Sequence, residues 1–139
     1  MAHRISEIMT ADPITVEPET AISEVARLMR DEDFGEVLVS EEDHLRGVVT
    51  DRDLVVRALA DARDVDTTSA QDVCSGDVVT CAPDAEIDDA VRLMRENAVR
   101  RLPVVDGDEL VGTVTMGDIA LQRDPNSALA DVSSAQPNR

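Results

Sequence analysis

The sequence predicts an α+β fold made of two similar halves, each with the order strand, helix, strand, strand, helix. Residues 8–57 align with residues 73–122 without a gap, and about 15 of the aligned positions are identical. Both halves carry a helical apolar stripe, followed by two strand-like runs that a short polar connector separates. A repeat of this length is too long for a solenoid unit, so it predicts two small subdomains packed as a pair.

An amphipathic helix is predicted in each half, because apolar residues recur at the spacing i, i+3, i+4 and i+7. The stripe consists of Ile22, Val25, Ala26 and Met29 in the first half and of Ile87, Ala90, Val91 and Met94 in the second. Thr20 is placed to cap the first of these helices. Since the methionines lie within the stripes, we expect them to pack in the core.

Strand-like runs flank each helix. A short β-prone run, Ile14–Val16, precedes the first helix. The hairpin strands are predicted over Glu36–Ser40 and Leu45–Thr50 in the first half and over Leu102–Val105 and Leu110–Thr115 in the second. The Asp106-Gly107 pair is a strong hairpin signal. A last helix follows each hairpin, over Arg52–Ala60 and Gly117–Arg123.

The repeat also predicts how the chain divides. We expect repeat 1 over residues 1–60, a polar ordered linker over 61–72, repeat 2 over 73–123 and a C-terminal tail over 124–139.

The charge of the chain excludes several classes of partner. Acidic residues outnumber basic ones by 30 to 13, and the formal net charge is −17. That sign repels both nucleic-acid phosphates and anionic membranes, so neither partner is expected. Phe34 is the only aromatic residue, which argues against base stacking.

The cysteines and the absence of an apolar leader predict a cytoplasmic protein. Cys74 and Cys81 are not spaced as metal ligands, and two cysteines do not make a disulfide framework. We therefore expect buried or half-buried thiols in a reducing compartment. No apolar run approaches the length of a membrane span.

Two copies of one motif stand where a strand ends and a helix begins: Thr50-x-x-Asp53 and Thr115-x-x-Asp118. One interpretation is a capping box, in which the threonine and the acid satisfy free amides of the first helical turn. The other is a nucleotide site, with phosphate at the helix start and a carboxylate on ribose hydroxyls. The upstream glycines, Gly47 and Gly112, would let a ligand approach the strand. The duplication favours the nucleotide interpretation.

At this point the chain resembles a tandem pair of CBS domains, the family named after cystathionine β-synthase. The resemblance rests on the element order, on the run Arg101–Asp106 and on the two Gly-x-x-Thr-x-x-Asp endings, and it covers about residues 3–123. It implies a stand-alone pair, packed with pseudo-twofold symmetry, that leaves two clefts and forms a homodimer. It also implies an adenosine-containing ligand, AMP, ADP or ATP, and no required cofactor.

The resemblance also implies roles for particular residues. Asp53 with Thr50, and Asp118 with Thr115, would hold ribose and phosphate. The adenine would lie against the first strand and the strand after the first helix of each half. The matching positions are Ile14, Thr15 and Val37 in the first half and Val79, Thr80, Leu102 and Pro103 in the second.

The two copies differ in charge. Arg52 either meets phosphate or pairs with Asp51. Arg100 and Arg101 are the only adjacent cations in the chain, and their partner is either a ligand phosphate or a local carboxylate. The first copy has Glu36 at the position of Arg101, where it would repel a phosphate. The sequence therefore leaves open whether one cleft or both are occupied.

These observations lead to one main hypothesis and one alternative. The main hypothesis is a regulatory sensor that binds an adenine nucleotide between the two repeats and is read by an unknown protein partner. The alternative is a ligand-free structural or stress-associated interaction protein, in which the motif is only a cap. An enzyme is not expected, because no residue lies in a recognisable nucleophile context and no cluster has metal-ligand spacing.

Overall fold

The computed structural model describes residues 4–123, which form two compact units. The first-repeat unit contains residues 14–78, and the second-repeat unit contains residues 4–13 together with 79–123. The units are thus composed differently from the predicted repeats, since the N-terminal residues join the second repeat and residues 61–72 join the first. The predicted tail, 124–139, lies outside the described residues.

The predicted α+β class is confirmed. The strands are β1 (Thr10–Ala11), β2 (Thr15–Val16), β3 (Glu36–Glu41), β4 (His44–Thr50), β5 (Arg101–Asp106) and β6 (Glu109–Thr115). The helices are α1 (Ile22–Glu32), α2 (Asp51–Asp53), α3 (Ala70–Val73), α4 (Ile87–Asn97) and α5 (Met116–Arg123), with a 3-10 turn at Ile5–Glu7 and a π-helical segment at Leu54–Leu59.

Each unit is built on an antiparallel hairpin. In the first-repeat unit β3 pairs with β4, and β2 adds to β3 in parallel. In the second-repeat unit β5 pairs with β6, and β1 adds to β6 antiparallel. The turns use left-handed residues: Glu42 and Asp43, with φ of 52° and 66°, in one hairpin and Gly107, with φ of 65°, in the other. All four predicted hairpin strands are confirmed to within one residue at either end.

The predicted helical stripes are largely confirmed. Their buried members are Ile22, Val25 and Met29 in α1 and Ile87, Ala90 and Met94 in α4. Ala26 was expected in the α1 stripe, but it is exposed. The partly buried Leu28 packs against the core instead.

The predicted cap at Thr20 is wrong. Helix α1 is preceded by Ala21, whose side chain makes no capping hydrogen bond. The Thr20 carbonyl instead accepts a hydrogen bond from the Ala70 amide at 2.8 Å, which holds the residue outside the helix.

The predicted first strand of the second half is reduced to a single bridge between Cys81 and Val104. In the first half, the amide of Leu38 donates to the carbonyl of Ile14 and extends the ladder. Pro103 occupies the position of Leu38 in the repeat and has no N–H to donate, so this ladder cannot extend.

The predicted helix over Arg52–Ala60 divides into α2 and the π-helical segment. The Ala60 amide donates to the Val55 carbonyl at 2.9 Å, and the Arg63 amide donates to the Ala58 carbonyl at 3.0 Å. Both hydrogen bonds span five residues, which is the π-helical spacing. The predicted helix at Gly117–Arg123 is confirmed as α5.

In each unit, a chain segment from outside the hairpin pairs with the last hairpin strand and lies close against a glycine of that strand. A Cβ added to Gly47 would lie 2.7 Å from the Ser75 carbonyl oxygen, and one added to Gly112 would lie 2.7 Å from the Thr10 carbonyl oxygen. The expectation that these glycines admit a ligand is therefore wrong, because the protein's own backbone fills the space.

The segments that lie against the two glycines also supply residues to the two cores. Ile5 is fully buried in the core of the second-repeat unit, among residues of α4, β5 and β6. Ala70 and Val73 of α3 are fully buried in the core of the first-repeat unit. The predicted linker also anchors α1, because the Ile22 amide donates to the Thr68 carbonyl at 2.9 Å.

We predict that Gly47→Ala and Gly112→Ala each lower the free energy of unfolding by about 1–3 kcal/mol, the usual cost of overpacking a close contact. Gly76→Ala is the matched control, since an added Cβ there meets nothing within 4 Å. It should be neutral or stabilising by about 0.4–1 kcal/mol. Urea unfolding of the full chain measures the difference, and equal effects at Gly112 and Gly76 would contradict the account.

Candidate functional site

The Thr-x-x-Asp motif forms a reciprocal capping box in both units. In the second-repeat unit, the Thr115 amide donates to Asp118 Oδ2 at 2.9 Å, and the Asp118 amide donates to Thr115 Oγ1 at 3.0 Å. The corresponding distances for Thr50 and Asp53 are 2.9 and 3.1 Å. The box engages one carboxylate oxygen of each aspartate and leaves the other, Oδ1, for a different partner.

A cavity of about 260 Å³, here called the α5 cavity, lies beside the capping box of the second-repeat unit. Its lining residues come from the start of β5, the end of β6 and the first turns of α5, and they are Arg100, Arg101, Thr115, Met116, Gly117, Asp118 and Leu121. The structure thus brings together four residues that the sequence singled out as site candidates. Three lining residues, Met116, Gly117 and Leu121, were not predicted from the sequence, and only the first two could have been found from their position inside the motif.

Arg100 and Arg101 give the α5 cavity local positive charge. Both side chains are exposed, and neither forms an ion pair with any residue in the range 4–123. Other arginines of the same unit do have carboxylate partners, as in the 2.7 Å contact between Arg123 and Asp88. Of the two partners that the sequence left open, local carboxylates are therefore not found among the described residues.

The other site candidates of the second repeat lie outside this lining. Leu102 is fully buried in the hydrophobic core, and Pro103 is buried beside it in β5. Val79 and Thr80 are half-buried and precede the bridge at Cys81.

The first-repeat unit presents a more acidic version of the same turn. The Asp51 amide donates to the Gly35 carbonyl at 3.0 Å, and a Cβ on Gly35 would lie 3.2 Å from Asp51 Oδ2. Arg52 is exposed, and its amide donates to Asp51 Oδ1 at 2.8 Å. Its guanidinium makes no ion pair within the described range.

The remaining site candidates of the first repeat differ in their solvent exposure. Val37 is fully buried in the core of its unit, while Ile14 is half-buried and Thr15 is exposed in β2. Thr15 lies in β2, Val37 lies in β3, and Ile14 directly precedes β2.

Both cysteines are free thiols, and the prediction that they are buried or half-buried is confirmed. Burial raises the pKa of Cys81 to about 11. Burial likewise raises the pKa of Cys74, and the nearby Asp53 carboxylate adds to the rise. Both thiols are therefore protonated near neutral pH and are weak nucleophiles.

Within residues 4–123, no group of three or more His, Cys, Asp or Glu side chains is placed to hold a metal ion. The same range contains no helix that is long and apolar enough to cross a membrane.

The comparison with known proteins agrees with this architecture. The chain matches the CBS domain over residues 5–59 and again over residues 70–122. The chain belongs to the CBS domain family. CBS domain pairs are regulatory modules.

Relatives and solved structures of the CBS family cover most of the chain. It is 38% identical over 133 residues to the CBS domain-containing protein YhcV of Bacillus subtilis, which covers 93% of this chain and 94% of YhcV. The crystal structure of Hypoxic Response Protein I, which contains two coordinated zinc ions, superposes with a TM-score of 0.78 at 33% identity. It covers 84% of this chain and 96% of the other.

A third comparison concerns the fold alone, because the identity is 24%. The CBS domain pair of protein MJ0100 superposes with a TM-score of 0.76, over 89% of this chain and 98% of that one. That protein was crystallised in complex with 5′-methylthioadenosine and S-adenosyl-L-methionine.

We predict a pH effect on stability that depends on Cys81. Its thiol has a raised pKa of about 11 in the folded state, whereas an unfolded thiol ionises near about 8.5. The contribution to stability is thus fully present below about pH 8.5 and is lost as the pH rises towards 11. Urea unfolding under reducing conditions should show a steeper loss between these limits for the wild type than for Cys81→Ala, and parallel curves would contradict the prediction.

Proposed function

We propose that this CBS pair is a regulatory sensor that binds an adenosine phosphate, AMP, ADP or ATP, at the α5 cavity. The observation that carries the proposal is the meeting of Arg100, Arg101 and Asp118 at the start of one helix. Cations suited to phosphate and an acid suited to ribose thus line a single cavity.

The ribose would bind to Asp118. Its Oδ2 is engaged by the Thr115 amide, while Oδ1 has no hydrogen-bond partner among residues 4–123. A carboxylate oxygen has two lone pairs and can accept from the vicinal hydroxyls of a ribose. The cap holds this carboxylate in place before the ligand arrives, so little side-chain entropy would be lost on binding.

The phosphate would bind to the arginines. A guanidinium offers a planar fork of donors that matches phosphate oxygens, and the amide end of α5 adds a partial positive charge. The net charge of −17 opposes an anionic ligand. Its effect on an exposed site is limited, because distant charges are screened beyond roughly 8 Å at physiological ionic strength.

The function proposed is regulatory rather than catalytic. A ligand shifts a conformational equilibrium only by its differential affinity for the two states. In this proposal the protein acts as a homodimer, and a protein partner reads the shift. The lining of the α5 cavity contains arginine, threonine, methionine, glycine, aspartate and leucine side chains, and we assign no bond-breaking step to them.

One observation favours the alternative of a ligand-free structural or stress-associated interaction protein. Both capping boxes are complete without a ligand, since each threonine and aspartate already satisfies a backbone amide. Under this alternative the motif stabilises a helix start and has no further role.

The two functions are separated by thermal unfolding with AMP, ADP, ATP, adenosine, NAD and S-adenosylmethionine at fixed salt. A ligand at about 100 times its dissociation constant adds about 2.7 kcal/mol, which raises the midpoint by several degrees. We expect an adenosine phosphate to give this shift and Asp118→Ala to abolish it. Arg101→Gln should weaken the phosphorylated ligands more than adenosine.

Asp89→Ala is the matched control for this experiment. Asp89 caps α4 through the Glu86 amide at 3.2 Å, and it does not line the α5 cavity. Its loss should cost about 0.5–2 kcal/mol of stability, as for any cap, and leave the ligand shift unchanged. If no ligand shifts the midpoint and Asp118→Ala behaves like Asp89→Ala, the alternative stands and the nucleotide proposal fails.

A further inference from the structure

The two capping boxes differ in what meets the second oxygen of the aspartate. In the first-repeat unit, Arg57 Nε lies 3.6 Å from Asp53 Oδ1. In the second-repeat unit, Gln122 occupies the position equivalent to Arg57, and Asp118 forms no ion pair with any residue in the range 4–123. The oxygen assigned to ribose in one copy is thus already paired in the other.

Arg57 is held in this place by more than the ion pair. Its Nη1 lies 3.4 Å from the Val73 carbonyl oxygen and 3.3 Å from the Cys74 carbonyl oxygen, at the end of α3. The side chain of Asp53 is 14% exposed. The guanidinium therefore bridges Asp53 and the end of α3.

The surroundings of Asp53 also lack the charge of the α5 cavity. Asp51 stands at the position of Met116, and Glu36 stands at the position of Arg101. Arg52 adds one exposed cation beside these two acids. The first copy therefore disfavours a phosphate group, and its Asp53 Oδ1, the oxygen that would accept from ribose, is already paired with Arg57.

We propose that Arg57 closes the first copy of the site by taking the place of a ribose hydroxyl on Asp53. Each chain then binds one adenosine ligand, at the α5 cavity, although its sequence carries the motif twice. This inference rests on the proposed function and makes Arg57 the residue that sets the stoichiometry.

The competing explanation is that Arg57 only ties the π-helical segment to α3. Under it, removal of Arg57 would lower the stability of the first-repeat unit and leave the number of bound ligands unchanged. The number of ligands bound per chain therefore distinguishes the two explanations, because a purely structural role of Arg57 would not change it.

Isothermal titration calorimetry of the full chain tests the inference, with AMP and with adenosine as probes. Adenosine is included because it carries no charge for Asp51 and Glu36 to repel. The wild type should bind one equivalent per chain, Arg57→Gln should bind two equivalents of adenosine, and the double change Arg57→Gln with Asp53→Ala should return to one.

Two single variants serve as controls. Arg63→Gln removes another arginine of the same unit, one that lies 3.9 Å from Asp72, and it should keep one equivalent. Asp53→Ala in the wild-type background should leave the number of sites and the affinity unchanged, so the inference stays testable even if Arg57→Gln does not fold.

The outcomes separate this inference from the function on which it rests. Two equivalents in the wild type, one equivalent in a folded Arg57→Gln, or loss of binding in Asp53→Ala would each overturn the role of Arg57 while leaving nucleotide binding intact. Absence of binding by either probe in the wild type would overturn the proposed function and this inference together.

Discussion

The fold depends on the close approach of a chain segment from outside each hairpin to a glycine in its last strand. The Ser75 carbonyl lies against Gly47 of β4, and the Thr10 carbonyl lies against Gly112 of β6, at distances that leave no room for a side chain. The same two segments place Ile5 in one core and Val73 in the other. Each compact unit therefore needs a segment from outside its own repeat, residues 70–75 in the first-repeat unit and residues 4–13 in the second, so neither repeat is a complete folding unit by itself.

The candidate site follows from how each hairpin ends. The last strand leads straight into a helix, and a threonine and an aspartate close the helix start with one carboxylate oxygen. The partner of the other carboxylate oxygen, Oδ1, then decides whether the turn can bind a ligand. In the second-repeat unit the aspartate lines a cavity together with Arg100 and Arg101, whereas in the first its Oδ1 lies 3.6 Å from Arg57 Nε. A duplicated cap has thus diverged through residues outside the Thr-x-x-Asp motif.

The sequence predicted the parts of the structure that have a strong period or a local turn signal. The hairpins and both amphipathic helices agree because alternation and the i, i+4 spacing report burial directly. Other features depend on contacts between residues distant in the sequence. A glycine at position 47 or 112 indicates a close approach, but it does not show whether a ligand or the protein's own backbone makes it. The π-helical segment was missed because a π-helix of six residues leaves no clear apolar period in the sequence. The sequence named Arg100, Arg101 and Asp118 as candidates for one site. The pairing of Arg57 with Asp53 could not be predicted, because it depends on where α3 lies in the folded chain.

The central claim is that an adenosine phosphate binds at the start of α5, and chemical-shift mapping of backbone amides during an AMP titration tests it most directly. The account predicts that the largest saturable changes fall on Arg100, Arg101 and residues 115–118, with the amides around Asp53 little affected. Changes centred on residues 50–53, or no saturable change at millimolar AMP, would contradict it.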